Sequence, residues 1–183
     1  MRAPSFASRE AITAIVWYSC APKEEKLVNV ATHISKMALA SLVFSASVAA
    51  QAAPQPCRDV TGEKGRENVC RLSNVERQKA GRTPLILDSR LSRVAQAHAD
   101  DMYRRKYFSH TSPEGRDMGD RLDRANITYG TAGENIAWGQ KNESDVTRAW
   151  MHSRGHRRNI LSRNYRKIGI GRTGNYWVQV FTD

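Results

Sequence analysis

Three side chains in the second half of the sequence have residue types and settings suited to polar chemistry: His110, Glu134 and His156. His110 sits in the segment YFSHTSPEGRD, whose Ser109, Ser112, Pro113 and Gly115 mark a loop that presents a side chain rather than burying it. His156 follows Gly155 where a helix ends. Imidazole titrates near neutral pH and serves as metal ligand or proton shuttle. Glu134, between Gly133 and Asn135, can orient one of the imidazoles or act as a base. The two His with the Glu can hold Zn²⁺ or another divalent metal, His110 and His156 being the candidate metal ligands and water the open position. The positions 110, 134 and 156 are far apart in the chain and define no ligand geometry, and HExxH is absent. For any one of these residues alone, the simpler account is a structural hydrogen-bond network that holds loops onto a sheet.

Other polar residues read less sharply. Ser153, Arg157 and Gln179 are candidate ligand-binding residues, Gln179 only if the register of the last strand turns it toward a cleft. No G-x-S-x-G elbow is present, and a serine next to a histidine in sequence is weak evidence for a nucleophile. His98 falls on an apolar helical stripe and reads as a core histidine, and His152 reads as solvent-facing. Asn135 and Asn159 fit backbone-fixing roles. Arg154, Arg157, Arg158, Arg163, Arg166, Lys167 and Arg172 occur with no acid between Asp145 and Asp183. Such a run is commonly a solvated face, but it can also draw an anionic ligand toward His156.

The elements that must position these residues are legible in part. Val69, Leu72 and Val75 suit a short amphipathic helix closed by Gly81, and Pro84 breaks the pattern. Asp88 is a good N-cap for LSRVAQAHADDMYRR, where Leu91, Val94, Ala95, His98 and Met102 form one stripe. A short helix follows Asp117, and GENIAWG is an extended segment. A helix from near Ser144 carries Val146, Ala149 and Trp150, and HRRNIL can add one more turn. IGIGR and YWVQVF flank Thr173-Gly174-Asn175 as a hairpin with a three-residue loop. A small sheet covered by helices is the packing that buries these faces.

The first fifty residues differ from the rest. Met37–Ala50 is apolar and uncharged, Lys36 precedes it, and Ala50-Gln51-Ala52 is a small-x-small cleavage site, the order of a secretory signal peptide. The run is too short to span a bilayer. The segment from Val28 to Ala52 has ordinary signal-peptide proportions, so translation is expected to begin near Val28. The expected organisation is a presequence at 1–52, an arm at 53–69 and one domain at 70–183, secreted or periplasmic and monomeric, with no transmembrane span in the mature protein. Residues 53–183 keep 24 basic and 15 acidic side chains, a net +9 within a whole-chain +11. That charge favours anionic envelope or extracellular partners, and no nucleic-acid module signature is present. Cys57 and Cys70 are an even pair in an oxidising compartment and are expected to form a disulfide.

Six segments, PLILDSRLSRVAQAHADDM, YFSHTSPEG, GENIAWG, WMHSRGHRRNIL, IGIGR and YWVQVF, come in the order and at the spacings of one family. Over residues 70–183 the chain resembles the bacterial, SCP-like branch of the CAP superfamily of cysteine-rich secretory, antigen 5 and pathogenesis-related 1 proteins. The resemblance implies an α+β fold, a three-layer α-β-α sandwich around a small, mostly antiparallel sheet. It also implies a cleft lined by two His and acidic residues. His110 matches the first His of a His-Glu-Glu-His tetrad, Glu134 one Glu and His156 the second His. The position of the other Glu, three residues after Trp150, is Ser153, so any mechanism that needs two carboxylates is disfavoured. The expected function is capture of an envelope or extracellular ligand, a lipid, glycan or peptide. The rivals are a metal-assisted hydrolase of peptide or cell-wall bonds using His110, Glu134 and His156, and a scaffold whose polar trio only stabilises the fold.

Overall fold

The structure is a computed structural model that describes residues 64–183 together with 56–58, 62 and the backbone of 16–19. The predicted signal-peptide core and its cleavage site lie outside the described residues. The elements run in the order β1 (Val16–Ser19), α1 (Lys64–Lys79), β2 (Ile86–Leu87), α2 (Ser89–Arg105), α3 (Met118–Arg124), β3 (Thr131–Trp138), α4 (Glu143–His152), α5 (Arg154–Ile160), β4 (Lys167–Thr173) and β5 (Tyr176–Thr182). The strands form one mixed sheet in the order β1-β3-β5-β4-β2, in which the β2–β4 pair is parallel and the others antiparallel. Helices cover both faces, which makes the α+β sandwich.

Local chemistry explains most of these boundaries. Asp88 caps α2 by accepting from the backbone N–H groups of Arg90 at 2.7 Å and Leu91 at 3.0 Å. Asp117 and Asp120 form a capping box at the start of α3. Asn142 caps α4 through Asp145 N–H. α1 begins at Lys64, earlier than the apolar spacing from Val69 predicts, because its first turn is polar and leaves no hydrophobic signature. The hairpin is tighter than its sequence suggests. Thr173 still pairs with Tyr176, so the turn is the two residues Gly174-Asn175, with Gly174 at φ 57°. β2 has only two residues and no periodicity from which to predict it.

Side-chain alternation along the strands sorts the core into two layers. Ala132 and Ile136 of β3, with Val178 and Val180 of β5, pack against Leu91, Ala95, Ala99 and Met102 of α2 and against α3. Ala137, Trp177, Phe181, Ile168 and Ile170 face the other way, onto Val69, Val146, Trp150 and Ile160 of α1, α4 and α5. The alternating glycines of β4 explain why α2 lies so close to the sheet. A Cβ on Gly169 would stand 2.2 Å from the Leu91 carbonyl carbon, and one on Gly171 would stand 2.3 Å from that of Ala95. Only hydrogen at these two positions lets the helix backbone rest on the strand.

The arm is held by the Cys57–Cys70 disulfide, as the cysteine arithmetic predicts. Beside it the Pro56 carbonyl accepts from Leu87 N–H at 2.6 Å, so the covalent bridge also braces β2. Arg77, a buried cation on α1, donates to the carbonyls of Thr83, Ile160 and Ser162 at 2.7–2.8 Å and ties α1 to the end of α5. No helix among the described residues is long and apolar enough to cross a membrane.

Candidate functional site

The centre of the site is Glu134, wholly buried on the α2/α3 face of β3. Its Oε1 accepts from His110 Nδ1 at 2.7 Å and its Oε2 from Arg121 Nη2 at 2.7 Å. The same guanidinium donates through Nη1 to the His110 carbonyl at 3.0 Å, so Arg121 holds both the acid and the loop that carries the histidine. Burial pushes the Glu134 carboxyl up. The Arg121 charge and the His110 hydrogen bond outweigh that and hold it down at about 2. An ionised carboxylate only accepts, so His110 Nδ1 carries the proton of this bond. In the neutral ring Nε2 is then the bare acceptor. It is buried and has no hydrogen-bond partner among the described residues.

His98 supports the loop from beneath. Its Nε2 donates to the Ser109 carbonyl at 2.9 Å, one residue before His110. Burial lowers its pKa, against an opposing pull from Glu134. The sequence reading of His98 as a core histidine agrees with its burial, but the stripe alone did not indicate the bond to Ser109. His110 itself departs from expectation. The loop turns the ring inward onto Glu134, leaving the residue 7% exposed instead of presenting it to solvent.

His156 is carried by α5, which packs against the opposite face through Ile160. Ser153, between α4 and α5, places its hydroxyl 2.8 Å from His156 Nδ1 and makes no side-chain cap to α5. The residue at the position of the missing acid is therefore a direct partner of the second imidazole. Asn135, the neighbour of Glu134, donates to the His156 carbonyl at 3.2 Å and to Gln179 Oε1 at 3.0 Å. Gln179 passes the chain on to Ser73 Oγ of α1 at 3.1 Å. Asn159 of α5 donates to Asn135 Oδ1 and to the Glu134 carbonyl. Gly133 admits this arrangement, since a Cβ there would meet the Tyr165 hydroxyl at 2.4 Å.

These contacts distribute the residues read from sequence. His110 and Glu134 meet directly; His156 and Ser153 meet directly; the two pairs are joined through β3 and Asn159. Gln179 is buried in the polar chain behind the sheet, directly opposite Asn135 in the strand register. Arg157 is exposed on the outer side of α5, while His156 on the same helix is buried. It therefore stands apart from the trio. His152 is exposed, as read. Arg121 was missed. No motif flags it, and the only available signal is the general need of a buried carboxylate for a cation.

The donor set for a metal is short. Among the described residues no three His, Cys, Asp or Glu side chains converge as a metal site. Two imidazoles fall below the three protein ligands of a catalytic zinc centre, and Glu134 has both oxygens engaged. The described residues therefore do not fit a three-ligand centre.

Comparison with known proteins follows the same segments. The family model described as CAP, cysteine-rich secretory protein family, matches residues 70–181. The chain is 46% identical over 117 residues to the uncharacterized protein YkwD of Bacillus subtilis (strain 168), covering 63% of this chain and 46% of that protein. It is 36% identical over 110 residues to the uncharacterized membrane protein YlbC of the same organism, covering 60% and 32%. An SCP-domain extracellular protein from Bacillus anthracis str. Ames superposes with a TM-score of 0.61 at 31% identity, covering 68% of this chain and 44% of that one. An outer surface protein from Borrelia burgdorferi shares the fold, with a TM-score of 0.62 at 21% identity over 66% of this chain and 93% of that one. The matched region spans less than half the length of either Bacillus subtilis relative.

Proposed function

The chain belongs to the cysteine-rich secretory protein (CAP) family, and from that premise we propose that it is an exported ligand-binding module. Its site around His110, Glu134 and His156 takes an envelope or extracellular ligand, a lipid, glycan or peptide. Export is supported by the signal-peptide pattern at 37–52 and by the extracellular and outer-surface descriptions of the two structural relatives.

The observation that carries binding over catalysis is the state of Glu134. A general base must be able to take a proton near neutral pH. Glu134 is held at about 2, with one oxygen on His110 and the other on Arg121. Such a carboxylate orients a ring; it is a poor base. The ring it orients has Nε2 as its remaining polar atom, in the neutral form an acceptor, and its burial without a partner costs about 1–3 kcal/mol. A ligand N–H or O–H reaching Nε2 would recover that cost.

The test follows the ring nitrogens of His110 by NMR in the full chain while vesicle lipids, peptidoglycan fragments and extended peptides are added in turn. A ligand that shifts Nε2 in wild type and loses affinity in His110→Ala supports the reading. Peptide or glycan hydrolysis that disappears in Glu134→Gln, with folding intact, would replace it with the hydrolase.

A further inference from the structure

The two sides of α5 carry different chemistry. His156, Asn159 and Ile160 face inward and are buried, whereas Arg154, Arg157 and Arg158 are exposed on the outer side. The three arginines stand at i, i+3 and i+4, one face of a helix and about 6 Å along its axis. They line a cavity of about 410 Å³ together with Met151, His152 and Leu161. Its rim is cationic, and half-buried Met151 and Leu161 supply the apolar part.

Among the described residues none of these arginines is paired with a carboxylate. Several other surface cations are paired: Lys79 with Glu76, Arg105 with Glu114, Arg148 with Asp145 and Arg172 with Glu143. Glu76 of α1 and Asp145 of α4, acids on the helices beside α5, are paired with Lys79 and Arg148. From Arg148 to Arg166 every Lys/Arg position is arginine. The planar guanidinium fork matches phosphate oxygens in pairs, which a lysine ammonium does not.

We propose that this outer face of α5 is a second site, separate from the His110–Glu134 centre, that binds a linear polymer with repeating phosphates, such as a polyol-phosphate chain. Three unpaired forks along one helix face engage successive phosphates of such a strand. The apolar part of the cavity accommodates the carbon segments between them. A flat bilayer is a poorer occupant. Among the described residues the exposed large apolar side chains are Val75, Ile86, Tyr103 and Trp138, and none lines the cavity; its apolar residues Met151 and Leu161 are half-buried and do not project for insertion. The surface would tether the protein while the buried site remains free, and the inference stands whichever function that site has.

The test measures binding of the full chain to poly(glycerol phosphate) across a salt series. The variants are R154Q/R157Q/R158Q and a charge-matched control, R71Q/R93Q/R124Q, with urea midpoints confirming that both fold. Wild type is expected to bind, and the α5 triple to lose affinity about tenfold or more with its log K versus log salt slope reduced by about 2. The control is expected to stay within about twofold of wild type, because general charge is not the determinant. Equal losses in both triples would overturn the proposal. So would binding of polyglutamate as tight as that of the phosphate polymer. Binding confined to phosphatidylglycerol vesicles would assign the face to a membrane instead and overturn it equally.

Discussion

Glu134 and Asn135 are adjacent on β3 and send their side chains to opposite faces of the sheet. Glu134 holds His110 and Arg121 on the side of α2 and α3. Asn135 holds Gln179 and the His156 backbone on the side of α1, α4 and α5. One dipeptide thus anchors both histidine pairs, and the polar centre is built through the sheet rather than upon one face of it.

Glu134→Gln removes the charge that compensates Arg121, whose side chain is 13% exposed. Leaving one member of a buried pair alone costs about 3–5 kcal/mol. Urea unfolding of the single variant should show that loss, and the double variant Glu134→Gln/Arg121→Met should recover a sizeable part of it. A loss below about 1 kcal/mol in the single variant would mean the pair contributes no more than a surface contact does.

Stability should fall in two steps as pH is lowered. His98 has a folded pKa below its ordinary 6.5, so its contribution is present above 6.5 and is lost as pH falls from there toward the folded value. Glu134 is held at about 2 against an ordinary 4.5, so its contribution is present above 4.5 and is lost between 4.5 and about 2. Each proton contributes a slope of at most about 1.4 kcal/mol per pH unit. His98→Gln, which can still donate to Ser109, should flatten the upper step alone in urea titrations from pH 8 to 2. An unchanged slope near pH 6 would remove His98 from the account.

Reduction of Cys57–Cys70, or Cys57→Ser/Cys70→Ser, should cost roughly 3 kcal/mol in the chain-entropy model. The effect should also have a location. The Leu87 amide, bonded to Pro56 beside the bridge, is expected to lose hydrogen-exchange protection before amides of β5. Uniform loss across the sheet would contradict the local bracing.

Gly171→Ala should destabilise by about 1–3 kcal/mol, because the added methyl must push the α2 backbone at Ala95 away from β4. The same substitution at Gly81, where a Cβ meets nothing within 4 Å but φ is 63°, tests backbone conformation without crowding. A urea series comparing the two separates close packing from turn geometry. If Gly171→Ala is neutral, α2 does not rest on the strand as described.

Much of this was legible in one dimension. Asp88, Asp117 and the stripe from Leu91 to Met102 specify helices through contacts within a few residues, and those helices formed where the pattern placed them. The cysteine pair and the six ordered segments likewise need no register to be read, and they pointed to the family and its sandwich. The rest depended on partners distant in sequence. Arg121 is recognisable only once α3 lies beside β3, and Arg77 only once α1 meets the end of α5. Whether Gln179 faces Asn135 follows from a strand register that local sequence does not encode, since a slip of one residue would turn it to the other face. The inward turn of His110, and the outward position of Arg157 one residue after buried His156, were likewise decided by packing. Caps and periodicity act over one or two helical turns. The charge state of Glu134 and the sidedness of the site are set by burial and by long-range pairing, which exist only in the folded chain.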